Sequence, residues 1–274
     1  MYFSKMTDPT WDHICALRDT PEALPVQPAE VDQDSLALYQ PIAVRGRPFV
    51  LAQVGQSLDG RVATPTGDAQ DVSGCDGIAH LHRCRALVDA VLVGVGTVVA
   101  DNPSLSVRAV AGRSPVRVVI DCNARMPENA KMLSDGGTPV LIIQADDVPA
   151  RVLGSEVIAL PRRGEGLHPR DILDCLLERG LASILVEGGA TTIARFIDEG
   201  LVDRLHIAVA PIIIGSGPMG ISLAPIDHLA EAHRPRVNVY NIGTDIVFDC
   251  DFRTPATRSG PFEKAEDILV THLA

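Results

Sequence analysis

The run Ile184-Leu-Val-Glu-Gly-Gly-Ala-Thr-Thr-Ile-Ala-Arg-Phe196 limits what the chain can fold into more than any other stretch. Ile184, Leu185 and Val186 form a short apolar run of the kind buried in parallel sheets. Glu187 ends that run, and Gly188 and Gly189 let the backbone turn sharply and come close to a ligand. Thr191 or Thr192 is placed to cap a helix carrying Ile193, Phe196 and Ile197 on one face. A buried strand that breaks at two glycines into a capped helix aims free N–H groups and a positive dipole end at one spot. Such a spot binds phosphate. The same residues alone also describe an ordinary strand-to-helix turn, so the rest of the chain must decide.

The remainder repeats the pattern. Phe49 to Val54, Ala90 to Val93, Val116 to Ile120, Val140 to Ile143, Val157 to Leu160 and Leu205 to Ala210 read as strands. His80 to Leu87 and Asp171 to Glu178 read as helices, the second with Ile172, Leu173, Leu176 and Leu177 at helical spacing and Gly180 closing it. Val237 to Tyr240 and Ile246 to Cys250 flank a turn and read as a hairpin. Apolar residues make up 46% of the chain but aromatics only 4%, which suits Val- and Ile-rich parallel strands packed against helices. The expected fold class is therefore α/β, three-layered, with a mixed, mostly parallel sheet and a C-terminal antiparallel hairpin.

Residues 1–45 differ in character from the rest of the chain and read as an accessory segment covering the main domain or a partner subunit, or equally as a weakly ordered leader. A helix starts near Asp8 and Pro9, an extended connector runs around Pro25 and Pro28, and a short packed element covers Leu36 to Tyr39. The main domain spans 46–253, and 254–274 form a polar tail, with a short helix near Ile268. The formal charge of −11 argues against a nucleic-acid backbone or an anionic membrane as partner. Six scattered cysteines, none in a Cys-x-x-Cys pair, fit a reducing, cytoplasmic setting and no zinc or disulfide frame. His80, His82 and His206 lack metal-like spacing with other ligands and read as packing or surface residues.

Ligands of open α/β sheets collect at the carboxyl ends of strands. Those ends are Gly55 and Gln56, Gly94 to Asn102, Asp121 to Arg125, and Glu187 to Thr192. Arg125 would suit a ribose 2′-phosphate, and equally a surface loop. Arg85, Asp101 and Arg108 flank the strand at Val91, where two Arg side chains can grip a substrate phosphate. Asp101-Asn102-Pro103 is equally a plain turn, and Asp59-Gly60 is a turn first.

In order and spacing these motifs resemble the reductase domain of riboflavin biosynthesis, a dihydrofolate-reductase-like fold. The resemblance rests on Gln56-Ser-Leu-Asp-Gly-Arg61, Val93-Gly-Val-Gly-Thr-Val98, Ala100-Asp-Asn-Pro-Ser-Leu105 with Arg108, Pro115 to Asp121, Val186-Glu-Gly-Gly-Ala-Thr191, Leu201-Val-Asp-Arg-Leu205 and Ala210-Pro-Ile-Ile-Ile-Gly215. It covers residues 47–252. The His-x-Glu and Pro-Cys-x-x-Cys signature of the deaminase that precedes this domain in bifunctional members is absent, so the chain reads as a stand-alone reductase.

The resemblance implies NADPH at Gly55, Thr97, Asp101, Cys122, Gly189, Ala190, Thr191 and Thr192, with the last run continuing to Arg195. It implies a phosphoribosyl substrate at Arg85, Leu105, Arg108 and Glu187. Asp101 is the implied catalytic carboxylate and Glu187 orients the substrate. The implied reaction reduces a ribosylamino-pyrimidine phosphate to the ribitylamino compound, and the family is commonly a homodimer. Gln53 stands where many members have Lys, Asp71 where an aromatic ring lies near the cofactor, and Ala69 where Ser or Thr faces substrate. The rival readings are a reductase of the same fold acting on another heterocycle or carbonyl, and a non-catalytic nucleotide-binding protein.

Overall fold

The computed structural model describes residues 1–20, 30–44, 48–151 and 154–255 of the 274-residue chain. The connector expected around Pro25 and Pro28 and the tail helix expected near Ile268 lie outside them. In chain order the elements begin with β1 (Tyr2–Phe3), α1 (Asp8–Asp19), α2 (Gln33–Ala43), β2 (Phe49–Ser57), α3 (Cys75–Leu87) and β3 (Ala90–Gly94). Next come α4 (Val95–Asp101), β4 (Val116–Ile120), β5 (Val140–Ala145), β6 (Glu156–Leu160), β7 (Arg162–Arg163) and β8 (Gly166–Leu167). The chain closes with α5 (Pro169–Glu178), β9 (Ser183–Glu187), α6 (Ala190–Asp198), β10 (Arg204–Ala210), β11 (Pro235–Asn241) and β12 (Ile246–Pro255).

Among the described residues ten strands form one sheet in the order β1-β11-β12-β10-β2-β9-β3-β4-β5-β6. From β10 to β6 every neighbour is parallel, whereas β12 runs antiparallel to both β10 and β11. This is the expected mixed sheet with its terminal hairpin. Alternation along each strand splits the core in two. Leu51, Val91, Val93, Leu185 and Ala208 face one layer, which contains Ile14 of α1, Leu38 and Ile42 of α2 and Leu87 of α3. Val50, Ala52, Leu92, Ile184 and Val186 face the other, with Ile172 and Leu176 of α5 and Ile193 and Phe196 of α6.

Helix ends follow local chemistry. Pro169 opens α5 behind His168, whose Nδ1 accepts from the Arg170 amide, and Gly180 at φ +75° follows its end. The first helix is capped by Thr7, one residue ahead of the expected start at Asp8. The element expected over Leu36 to Tyr39 extends to eleven residues because the Asp32 carboxylate accepts from Ser35 N at 2.9 Å and starts the helix earlier. Both N-terminal helices lie on the α3 side. Trp11 Nε1 donates to Ala111 O at 2.8 Å and Arg18 Nη2 to Val88 O, so this segment is bonded to loops of the main domain.

Candidate active site

The four strand ends singled out in the sequence belong to β2, β9, β3 and β4, which are consecutive neighbours in the sheet. Because these strands are parallel, Gly55, Glu187, Gly94 and Asp121 all emerge on one edge. Between them the backbone comes close. A Cβ placed on Gly94 would meet Thr192 Oγ1 at 2.7 Å, and one on Gly189 would meet Thr97 Oγ1 at 3.3 Å. Gly188 and Gly189 sit at φ +65° and +72°, the left-handed region where a side chain costs about 1–2 kcal/mol. The glycine bend is therefore required both for its conformation and for the space beside Thr97.

The helix after the bend starts differently from expectation. Its N-cap is Gly189, with no side-chain capping bond, and neither Thr191 nor Thr192 caps it. Both threonines fall inside the first turn, and Thr192 Oγ1 lies against Gly94 and Gly189. The positive φ at Gly189 starts the helix two residues early. The first amides of α6, at Ala190 and Thr191, precede the first intrahelical bonds, which Thr192 and Ile193 make to Gly189 O. The strand end read at Gly94 to Asn102 is mostly helix, α4, which places Thr97 and Asp101 one turn apart on one helix face. Thr97 touches the glycine bend, so Asp101 lies along that same side.

Asp101 ends α4. Asn102 follows at φ 43°, donates its amide to Val98 O at 3.0 Å, and accepts from Lys131 N at 2.7 Å through Oδ1. The stop is thus pinned from both sides. Asp101 is exposed at the end of this helix, and partial desolvation by the atoms packed around it raises its carboxyl from the ordinary aspartate value. Leu105, at φ 55°, turns its side chain wholly into the core.

Two expected substrate residues prove to be each other's partner. Arg85 Nε donates to Glu187 Oε2 at 2.8 Å, Nη2 donates to Oε1, and Nη1 donates to Ser106 O at 3.1 Å. The pair is shielded, with side-chain exposures of 7% and 13%, so Arg85 has little left to offer a phosphate and instead holds Glu187 in place. Gln53 lies directly across from Glu187 in the sheet and is buried. Arg108 is exposed, and its amide donates to His82 Nδ1 at 2.9 Å. Burial, then the nearby Arg85 and Arg108 charges, lower His82 to about 4, which keeps it a neutral acceptor under that loop.

Asp121 is buried and accepts from the Arg125 and Met126 amides at 2.8 and 2.7 Å, fixing the turn that carries Cys122 and Arg125. Gly55 lies under the loop before α3, where a Cβ would strike Ser73 Oγ at 2.6 Å. Ala69 is half-buried and Asp71 exposed at φ 64° in that same loop. No sequence signal marks Ser73, and His82 and Asp59 read there as a packing or surface residue and a turn residue. Asp59 accepts from Ser57 Oγ, Ile214 N and Gly215 N, bonds that hold its carboxyl down at about 2. His82 carried a usable signal, since it precedes Arg85 by three residues on the same helix.

A cavity of about 360 Å³ lies at the other end of the sheet, lined by Phe49, Leu173, Leu177, Ile184 and Leu201, away from every residue above. A smaller one of about 60 Å³ is lined by Ile120, Thr191, Thr192 and Arg195, between the end of β4 and the start of α6. Among the described residues no helix is long and apolar enough to cross a membrane.

The comparisons agree with this geometry. A family profile described as the RibD C-terminal domain matches residues 48–248. The chain is 33% identical to the 2,5-diamino-6-ribosylamino-4(3H)-pyrimidinone 5′-phosphate reductase of Methanothermobacter thermautotrophicus, over 74% of this chain and 97% of that one. It is 36% identical to the riboflavin biosynthesis protein RibD of Bacillus amyloliquefaciens over 73% of this chain, but spans only 56% of that longer protein. A crystal structure of the Thermotoga maritima deaminase/reductase aligns with TM-score 0.65 and 25% identity, over 78% of this chain and 59% of that one. With the profile matched over residues 48–248 and a third of the sequence shared with a relative covered almost end to end, the chain belongs to the RibD C-terminal domain family.

Proposed function

We propose that the chain reduces a ribosylamino-pyrimidine 5′-phosphate to the ribitylamino compound with NADPH. One observation carries the reading: the glycine bend, the Thr97–Asp101 face and Glu187, which Arg85 of α3 holds, rise from adjacent strand ends on one edge. The residues present fit a dinucleotide. Uncapped amides at Ala190 and Thr191 suit the diphosphate, and the glycines at 94 and 189 let the Thr97 and Thr192 hydroxyls pack close beside those amides. Gly55, Thr97 and Cys122 lie on neighbouring strand ends, and Arg125 suits a 2′-phosphate, which favours NADPH over NADH. A bound nicotinamide supplies the hydride.

The chain's own residues do the rest. Asp101 stabilises positive charge at the sugar carbon once the ribose ring opens to an imine. Glu187, locked by Arg85, orients the ribosylamino group, while the exposed Arg108 takes the substrate phosphate, with the backbone at Leu105 beside it. The test is loss of NADPH absorbance with the diamino-pyrimidinone and the uracil forms of the substrate, supplied separately. Tight NADPH binding without turnover of either would leave a nucleotide-binding protein instead.

Changing Gly189 to Val is expected to weaken NADPH binding roughly 10–100-fold, the worth of one or two charge-assisted bonds. Binding titrations check it, and unchanged affinity removes this loop from the cofactor site. The reading extends to a homodimer. Ile213 is 75% and Leu229 is 78% exposed, and Ile212, Met219 and Ile226 widen the apolar surface between β10 and β11. Ile213→Asp should convert a dimer to monomer by light scattering; a wild-type monomer at micromolar concentration would end that part. Six free thiols fit a cytoplasmic enzyme, which cell fractionation tests directly.

A further inference from the structure

Behind the Arg85–Glu187 pair runs a buried row of polar side chains. Asp249 of β12, His206 of β10, Gln53 of β2 and Glu187 of β9 are register partners on successive strands. All four face the layer occupied by α3. Directly over His206, α3 places His80 and Cys84, four residues apart on one helix face. All three of these side chains are fully buried.

Their potential ligand atoms form a tight triangle. His80 Nε2 lies 3.3 Å from His206 Nδ1, and Cys84 Sγ lies 3.7 Å from the first and 3.9 Å from the second. Bonds of about 2.0–2.1 Å to nitrogen and 2.3 Å to sulfur at tetrahedral angles require N–N and N–S spacings of about 3.4 and 3.6 Å. The outer nitrogens are also provided for. Tyr39 Oη lies 2.8 Å from His80 Nδ1, and Asp249 Oδ1 lies 3.3 Å from His206 Nε2. His206 Nε2 is thus buried facing the Asp249 carboxylate. Metal-bound imidazoles are normally oriented this way, with the far nitrogen directed at a hydroxyl or carboxylate.

We propose that His80, Cys84 and His206 bind a divalent ion of the zinc class. The ion takes the Nε2 lone pair of His80, the Nδ1 lone pair of His206 and the Cys84 thiolate. The thiol proton it displaces leaves to solvent, and no electron is transferred. The site would staple α3 to β10. Arg85 directly follows Cys84, so the staple also fixes the partner of Glu187.

The full chain should be isolated from cells grown with added Zn²⁺, and separately with Co²⁺, so that the ion can enter as the protein folds. About one equivalent is expected to remain after dialysis. Zinc-edge absorption should give one sulfur at about 2.3 Å with nitrogens at about 2.0–2.1 Å. The cobalt form should show a thiolate charge-transfer band that Cys84→Ser abolishes. Tyr39→Phe, which removes only a hydroxyl, should weaken retention against a chelator about 10-fold. A metal content well below one equivalent overturns the site and leaves a metal-free chain of hydrogen bonds from Tyr39 through His80 to His206. A shell without sulfur, or an unchanged spectrum in Cys84→Ser, assigns the ion elsewhere and overturns it equally.

Discussion

Asp101→Asn is expected to lower kcat about 10²- to 10⁴-fold while leaving NADPH affinity essentially unchanged. Asn keeps the size of the side chain and its ability to end α4, and the stop is secured independently by the Asn102 bonds to Val98 and Lys131. What is lost is a negative charge beside the carbon that turns cationic. Partial desolvation raises the carboxyl from its ordinary value, so the working anion is lost sooner on acidification than in an unperturbed aspartate. The wild type should therefore lose activity as pH falls through that raised value, and the Asn variant should lack this acid limb. Equal losses in binding and turnover, or an identical pH profile, would reduce Asp101 to the turn residue that its sequence context also allows.

Much of this site was legible because buried parallel strands write themselves as short Val- and Ile-rich runs ending in glycine or a polar residue. β4 was expected at Val116 to Ile120 and found there. The strand order was not legible. β9 follows β3 by about ninety residues yet lies between β2 and β3, and only that insertion makes Glu187 a neighbour of Gln53 and Arg85. The start of α3 was missed because Cys75, Asp76 and Gly77 carry no apolar period. The turn is held from far away: Asp245 accepts from Gly74 N at 2.9 Å and Thr244 Oγ1 from Asp76 N at 3.1 Å. His206 looked isolated for the same reason. Its companions are 122 and 126 residues distant, and no local spacing records them.

Breaking the Arg85–Glu187 pair should separate two roles that coincide in one contact. Glu187→Ala leaves a guanidinium at 7% side-chain exposure without its carboxylate. Removing one member of such a buried pair costs about 3–5 kcal/mol, which for a chain of this size lowers Tm by roughly 6–15 °C. Turnover should fall with it. Replacing both partners by apolar residues, Arg85→Met with Glu187→Leu, removes the uncompensated charge and should restore most of the lost Tm, since a buried ion pair is often no more stabilising than well-packed apolar side chains. Activity should stay lost in the double variant, because the carboxylate that orients the ribosylamino group is gone whatever the core is made of. NADPH titration keeps the arms apart: affinity should survive in the double variant, whose glycine bend and α6 amides are untouched. If the double variant regains turnover along with Tm, the pair is a packing device and Glu187 has no part in holding substrate. If Glu187→Ala costs no stability, Arg85 reaches solvent and the pair is not shielded as the structure shows it.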